Sequence, residues 1–173
     1  MLTEKQKYLG VYNENKNYGK TNHGKDILDY VRQLDANSIC DVGCGDGAFC
    51  RGLLGDVQYL YGVDFASSPR GNGVWWSNCP AEKIILPNKS IDYVTSFDVL
   101  EHLLPENVDK TLAEFIRLAR KGLVLSISYR DSSTKYKGHT LHMTVKPEEW
   151  WIKKLLRYGI VTKQGQYLLV EIC

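Results

Sequence analysis

With 173 residues, 43% of them hydrophobic and 24% charged, the chain is long enough to bury the core of one globular domain. A formal net charge of +2 gives no reason to expect nucleic acid or an anionic membrane as a partner. No stretch approaches the ~18 consecutive apolar residues of a membrane span, and the charged start Met1-Leu2-Thr3-Glu4-Lys5 lacks the apolar run of a signal peptide, so a cytoplasmic protein is expected.

Residues 1–24 are polar and rich in Asn, Lys and Tyr, and read as a loose lead-in to one domain that takes up the whole chain. Ile27, Leu28, Val31 and Leu34 share a face and predict a helix over 25–34. The short apolar strand 38–42 runs straight into Gly43-Cys44-Gly45-Asp46-Gly47, and a helix over 48–54 follows, ended by Gly55. Strands are expected at 59–63, with Asp64 at the end, then at 74–76 and 91–96. A helix over 105–120 carries the stripe Val108, Leu112, Phe115, Ile116 and Ala119, with Pro105 in its first turn and Gly122 after its end. Residues 123–128 are apolar throughout, as a strand covered on both faces should be. A polar loop over 129–146, a helix over 147–158 and a hairpin of 160–162 with 167–170 complete the chain. Strands alternating with helices predict an α/β fold: a Rossmann-like, mostly parallel seven-stranded sheet with helices on both faces and an antiparallel C-terminal hairpin strand.

The glycines of 43–47 stand between a strand and a helix, where backbone without side chains can turn sharply and let a ligand approach. Asp64 is placed to accept hydrogen bonds from both hydroxyls of a ribose. The spacing Gly43-x-Gly45-x-x-Ala48 also fits a dinucleotide site, so a nicotinamide-dependent reductase is one alternative. Asp41 points elsewhere, because its carboxylate suits a cationic amine and has no use facing a pyrophosphate. Cys40, Cys44, Cys50, Cys79 and Cys173 form no Cys-x-x-Cys pair and read as reduced side chains of a cytosolic protein.

Four segments in order resemble the class I S-adenosylmethionine-dependent methyltransferases over roughly residues 25–173. They are Asp41-Val42-Gly43-Cys44-Gly45-Asp46-Gly47, Tyr61-Gly62-Val63-Asp64, Ser96-Phe97-Asp98-Val99-Leu100-Glu101-His102 and the terminal hairpin. The resemblance implies S-adenosylmethionine as cofactor and S-adenosylhomocysteine as product. Gly43, Cys44 and Gly45 would line the methionine moiety, Asp41 would anchor its amine, and Asp64 would hold the ribose with Phe65 beside the adenine. Ala81 and Glu82 fall in the adenine loop, where Pro80 replaces the family's usual aspartate. The backbone around Phe97 and Asp98 would face the methionine end, and His102 would either touch the cofactor carboxylate or cap the next helix. A protein that binds the cofactor without turning it over, such as a regulatory subunit, would carry the same motifs.

The loop over 129–146 follows the fifth strand and is therefore the expected acceptor side. It carries His139 and His142, and a neutral imidazole suits a general base for a hydroxyl acceptor; the alternative for each is loop packing. The spacing His139-x-x-His142 lacks a third ligand, so no metal site is expected. The run from His139 to Trp151 is similar to that of small methyltransferases of sugar and cell-surface glycan modification. A small-molecule or glycan acceptor with a reactive oxygen is the resulting expectation.

Overall fold

The computed structural model describes residues 3–15, 18, 23–67 and 71–172. Cys173 lies outside them, and the other four cysteines are free thiols. Strands β1 (Ser38–Val42), β2 (Tyr59–Val63), β3 (Trp75–Ser77), β4 (Ile91–Phe97) and β5 (Ala119–Ser126) are mutually parallel. A two-stranded hairpin, β6 (Lys135–Tyr136) with β7 (His139–Thr140), stands apart from them. Strands β8 (Gly159–Gln164) and β9 (Tyr167–Ile172) close the main sheet, β9 pairing antiparallel with both β5 and β8. The sheet order is β3-β2-β1-β4-β5-β9-β8. This is the expected mostly parallel, seven-stranded sheet with an antiparallel terminal hairpin.

Its helices are α1 (Glu4–Glu14), α2 (Leu28–Gln33), α3 (Ala48–Gly52), α4 (Pro105–Leu118) and α5 (Glu148–Leu155). Side chains alternate across a strand, so β5 sends Leu123 and Leu125 into one core and Val124 into the other. The first core takes the stripe Val108, Leu112 and Phe115 of α4 and Trp151 of α5; the second takes Val31 of α2, Phe49 of α3 and Leu53 just after it. Burying each such side chain is worth about 1.5–3 kcal/mol, which fixes the helices to their faces and leaves the strand ends free to carry a site.

The structure corrects several boundaries. The lead-in is not loose: α1 begins with a capping box in which the Thr3 hydroxyl accepts from the Gln6 backbone N–H and the Gln6 side chain accepts from the Thr3 N–H. The helix expected over 25–34 starts as a 3₁₀ turn (Lys25–Ile27), and α3 stops two residues early, at Gly52. Gly122 does not end α4. It sits inside β5, where a Cβ would come within 2.3 Å of the Val170 carbonyl on β9. Ala119, expected on the stripe of α4, opens β5 instead. Loop 129–146 holds the β6–β7 hairpin. Trp76 packs across Gly62 and Gly47, whereas Trp75 is 69% exposed on the edge strand and does not pack on the sheet.

Candidate active site

The carboxyl ends of β1, β2 and β4 open into one cavity of about 910 Å³, and loops that follow β4 and β5 form its far wall. Parallel strands that all point the same way bring their terminal loops together here, which is why residues far apart in sequence share the space. Asp41, Gly43, Cys44, Gly45, Asp64 and Phe65 line it, as do Ala81, Glu82, Phe97, Asp98 and His102. His142 also lines it, whereas His139 is exposed on β7 and does not. Trp150 packs edge-to-face on the fully buried Trp151 and stays outside the cavity too.

The glycine loop is shaped by its backbone. Gly43 and Gly45 adopt φ of +77° and +55°, the left-handed region that side chains disfavour. A Cβ at Gly43 would fall 2.1 Å from Val99 Cγ2, so the segment after β4 presses directly on the loop. The Asp64 carboxylate holds this turn from across the sheet: Oδ2 accepts from Gly45 N at 3.1 Å, and Oδ1 accepts from Ala66 N and Ser67 N at 2.8 and 2.7 Å. Oδ1 has both of its lone-pair sites engaged, and Oδ2 keeps one for a ligand hydroxyl.

Asp41 is 3% exposed and accepts from Thr95 Oγ1 at 2.8 Å. Burial raises its pKa; the Thr95 bond opposes this and the charge of Asp64 adds to it, so the carboxyl is pushed up to about 7. Two buried carboxyl groups thus flank a glycine-rich turn. That donor set fits a ligand carrying a cationic amine at one end and a diol in the middle.

Beyond β4 the chain is held by paired contacts. Asp98 has a left-handed φ of +54°, and its N–H donates to the Ser126 carbonyl at 3.0 Å. Burial works against its charge, but the His23 contact at 2.7 Å and the Ser126 hydroxyl at 2.9 Å outweigh it and hold the carboxyl below its ordinary range. The 3₁₀ turn Leu100–His102 follows. The Glu101 carbonyl accepts from Met143 N and Thr144 N at 2.8 and 2.9 Å, which stitches the β5 loop to this turn and sets His142 beside His102. Their rings stand edge-to-face with centroids 4.6 Å apart. His142 Nδ1 lies 2.6 Å from the Arg130 carbonyl. A carbonyl can only accept, so Nδ1 carries a proton, and in the neutral ring Nε2 is the nitrogen with the lone pair. Glu101 is fully buried; burial pushes its carboxyl up to about 8, and burial together with the neighbouring His142 pushes His102 down to about 4.

The sequence reading missed the other wall. Tyr8, Tyr12 and Tyr18 line the cavity, as does His23. Tyr8 packs edge-on against Phe65 with centroids 5.4 Å apart and reaches His102 Nδ1 at 2.7 Å. Two signals were available: the Thr3-x-x-Gln6 box, and Tyr8, Val11 and Tyr12 at helical spacing.

A family model described as a methyltransferase domain matches residues 40–127, from within β1 to just past β5. No curated protein matches the chain. Among solved structures, the 1,6-didemethyltoxoflavin N1-methyltransferase of Burkholderia thailandensis, with 1,6-didemethyltoxoflavin and S-adenosylhomocysteine bound, is 18% identical with a TM-score of 0.74. It covers 96% of this chain and 84% of its own. The magnesium protoporphyrin IX methyltransferase of Synechocystis, with S-adenosylmethionine bound, is 17% identical with a TM-score of 0.69, covering 99% and 97%. The cyclase SpnF is 16% identical with a TM-score of 0.65, covering 94% and 75%. Likeness at that level fixes the fold and not the reaction, so the family match carries the assignment. It decides for S-adenosylmethionine over a nicotinamide and for an enzyme over a mere binder: the chain belongs to the class I S-adenosylmethionine-dependent methyltransferases.

Proposed function

We propose that the enzyme methylates a hydroxyl oxygen of a small acceptor of the sugar or glycan class, with His142 as the base. The observation that carries this reading is the tautomer of His142: with Nδ1–H given to Arg130, Nε2 has its lone pair free at the cavity that the glycine loop also lines. In the same reading Asp41 meets the cofactor's amine, and Gly43, Cys44 and Gly45 bed the methionine moiety. Asp64 takes the ribose hydroxyls. Phe65, Ala81 and Glu82 border the adenine, and Phe97, Asp98 and His102 close the methionine end. The cofactor supplies an electrophilic methyl group on a sulfonium, which needs no activation by the protein. The chain's residues then have three tasks: to align the acceptor oxygen, to exclude water and to remove one proton. Tyr8 and Tyr12 serve the second task by roofing the cavity with α1. His139, exposed on β7, has no part in the reaction.

The test is a screen of monosaccharides, glycan fragments, phenols and amines with S-adenosylmethionine, read by S-adenosylhomocysteine release and by mass spectrometry of the products. O-methylated product with hydroxyl acceptors is expected. Turnover with amines and none with any hydroxyl compound would overturn the oxygen assignment.

A further inference from the structure

Glu101 stands out among the buried polar groups because half of its carboxylate is accounted for and half is not. Oε1 accepts from Ser128 N at 3.1 Å, which fixes the rotamer; Oε2, in a residue with no exposed surface, has no hydrogen-bond partner among the described residues. An unpartnered buried carboxylate oxygen costs several kcal/mol unless something that carries positive charge or a proton meets it. Glu101 lines the cavity, and so do His102 and His142. One donor atom from each of the three lies within 4.8 Å of the other two.

The two imidazoles are prepared for the same partner. His142 gives its Nδ1 proton to the Arg130 carbonyl at 2.6 Å, and His102 Nδ1 lies 3.0 Å from the Leu141 carbonyl. A backbone carbonyl that fixes one ring nitrogen leaves the other with a lone pair in a set direction, the arrangement that orients histidines as metal ligands. Two imidazoles and one carboxylate suit first-row divalent transition cations and not the all-oxygen shells that calcium and magnesium prefer.

We propose that Glu101, His102 and His142 form a binding site for a divalent transition-metal cation, with its remaining coordination position open to the cavity. The lone His139–His142 spacing did not show this, because the partners of His142 come from the turn after β4. Neighbouring ligands of a tetrahedral ion with bonds of about 2.1 Å lie roughly 3.4 Å apart, so the three atoms, which lie within 4.8 Å of one another, close by at most about 1.4 Å on binding. The bonds from Met143 N and Thr144 N to the Glu101 carbonyl hold the loop that carries His142 against the turn that carries the other two ligands.

The experiment is a titration of the intact protein with Co²⁺, followed by its visible absorption bands. One equivalent should bind to the wild type. Glu101→Gln keeps the bond from Ser128 but loses the anionic oxygen, and it should weaken binding at least tenfold, as should His142→Ala. His139→Ala, altered in the same loop, should bind as the wild type does. An unchanged S-adenosylhomocysteine affinity in Glu101→Gln shows that the cavity has kept its shape. If the wild type does not bind, or if all variants bind alike, the site is refuted. A second arm rests on the base reading above: a bound cation occupies the lone pair of His142, so Zn²⁺ should inhibit methyl transfer with the midpoint of binding. Binding without inhibition overturns His142 as the base and supports the metal site; inhibition that persists in Glu101→Gln at wild-type strength overturns the metal site.

Discussion

The hydroxyl of Tyr8, on the N-terminal helix, lies 2.7 Å from His102 Nδ1 and donates to the Leu141 carbonyl at 3.1 Å. One phenol thus joins α1, the turn after β4 and the acceptor loop at the roof of the cavity. Tyr8→Phe keeps the ring against Phe65 and removes the bond. It should cost about 0.5–1.5 kcal/mol, the worth of a typical hydrogen bond, measured as a lowered urea midpoint at unchanged slope. An unmoved midpoint would show that α1 is held by ring packing alone.

Gly43 and Val99 make a second test. Gly43→Ala meets both a left-handed φ and Val99 Cγ2 at 2.1 Å. The backbone part costs about 1–2 kcal/mol and the overpacking a further 1–3 kcal/mol. Adding Val99→Ala makes room without changing φ, so the double variant should recover only the second part in thermal melts. Full recovery would mean that the turn tolerates a side chain and that contact was the whole obstacle.

Asp64 both shapes the glycine turn and offers a lone pair to a ribose. Asp64→Ala should weaken S-adenosylhomocysteine binding by on the order of 1.5–3 kcal/mol in isothermal titration. Because Gly45, Ala66 and Ser67 lose an acceptor as well, the variant should also melt earlier. Affinity at the wild-type level would remove Asp64 from the site.

Asp41 predicts a pH dependence. Its carboxyl is pushed up to about 7 by burial, so below that pH the free enzyme holds it protonated. A cationic amine favours the ionised form, and ligand binding must then expel the proton. Affinity for S-adenosylhomocysteine should therefore rise with pH up to about 7 and level off above it. In calorimetry below that point, the apparent enthalpy should vary with the ionisation heat of the buffer. Asp41→Asn should abolish both effects. The same linkage acts on stability with the opposite sign: the free protein binds more protons folded than unfolded between the ordinary aspartate range and about 7, and its stability falls as pH rises through that window.

The last prediction separates the two histidines of the acceptor loop. His142→Ala should lower turnover by about 10²–10⁴-fold and leave cofactor affinity nearly unchanged, because the cofactor contacts come from other strand ends. His139→Ala should turn over at nearly the wild-type rate, since it lies outside the cavity. Wild-type turnover by His142→Ala would make that residue scaffolding.

The strand ends were legible in the sequence because their signals are local. A buried strand followed by Gly43 and Gly45, an acid closing the second strand at Asp64, and the run from Ser96 to His102 each need only a few neighbouring residues to be read. The mostly parallel sheet followed from the alternation of strands and helices, and its antiparallel last strand from the terminal hairpin, whereas the order of the strands came only with the structure. Tertiary structure alone decided which of those residues meet. Tyr8 and His23 reach the cavity from a stretch whose polar composition reads as a loose lead-in, because only docking against Phe65 and Asp98 gives that stretch partners. The choice between His139 and His142 is equally non-local. They differ by one turn of loop, and what separates them is the pair of bonds from Met143 and Thr144 to the Glu101 carbonyl, which draws His142 in beside His102 and leaves His139 on the outer strand of a hairpin. Glu101 shows the limit most sharply: in the sequence it is one member of the run from Ser96 to His102, and only the packing of distant segments buries its carboxyl fully and leaves Oε2 without a partner among the described residues.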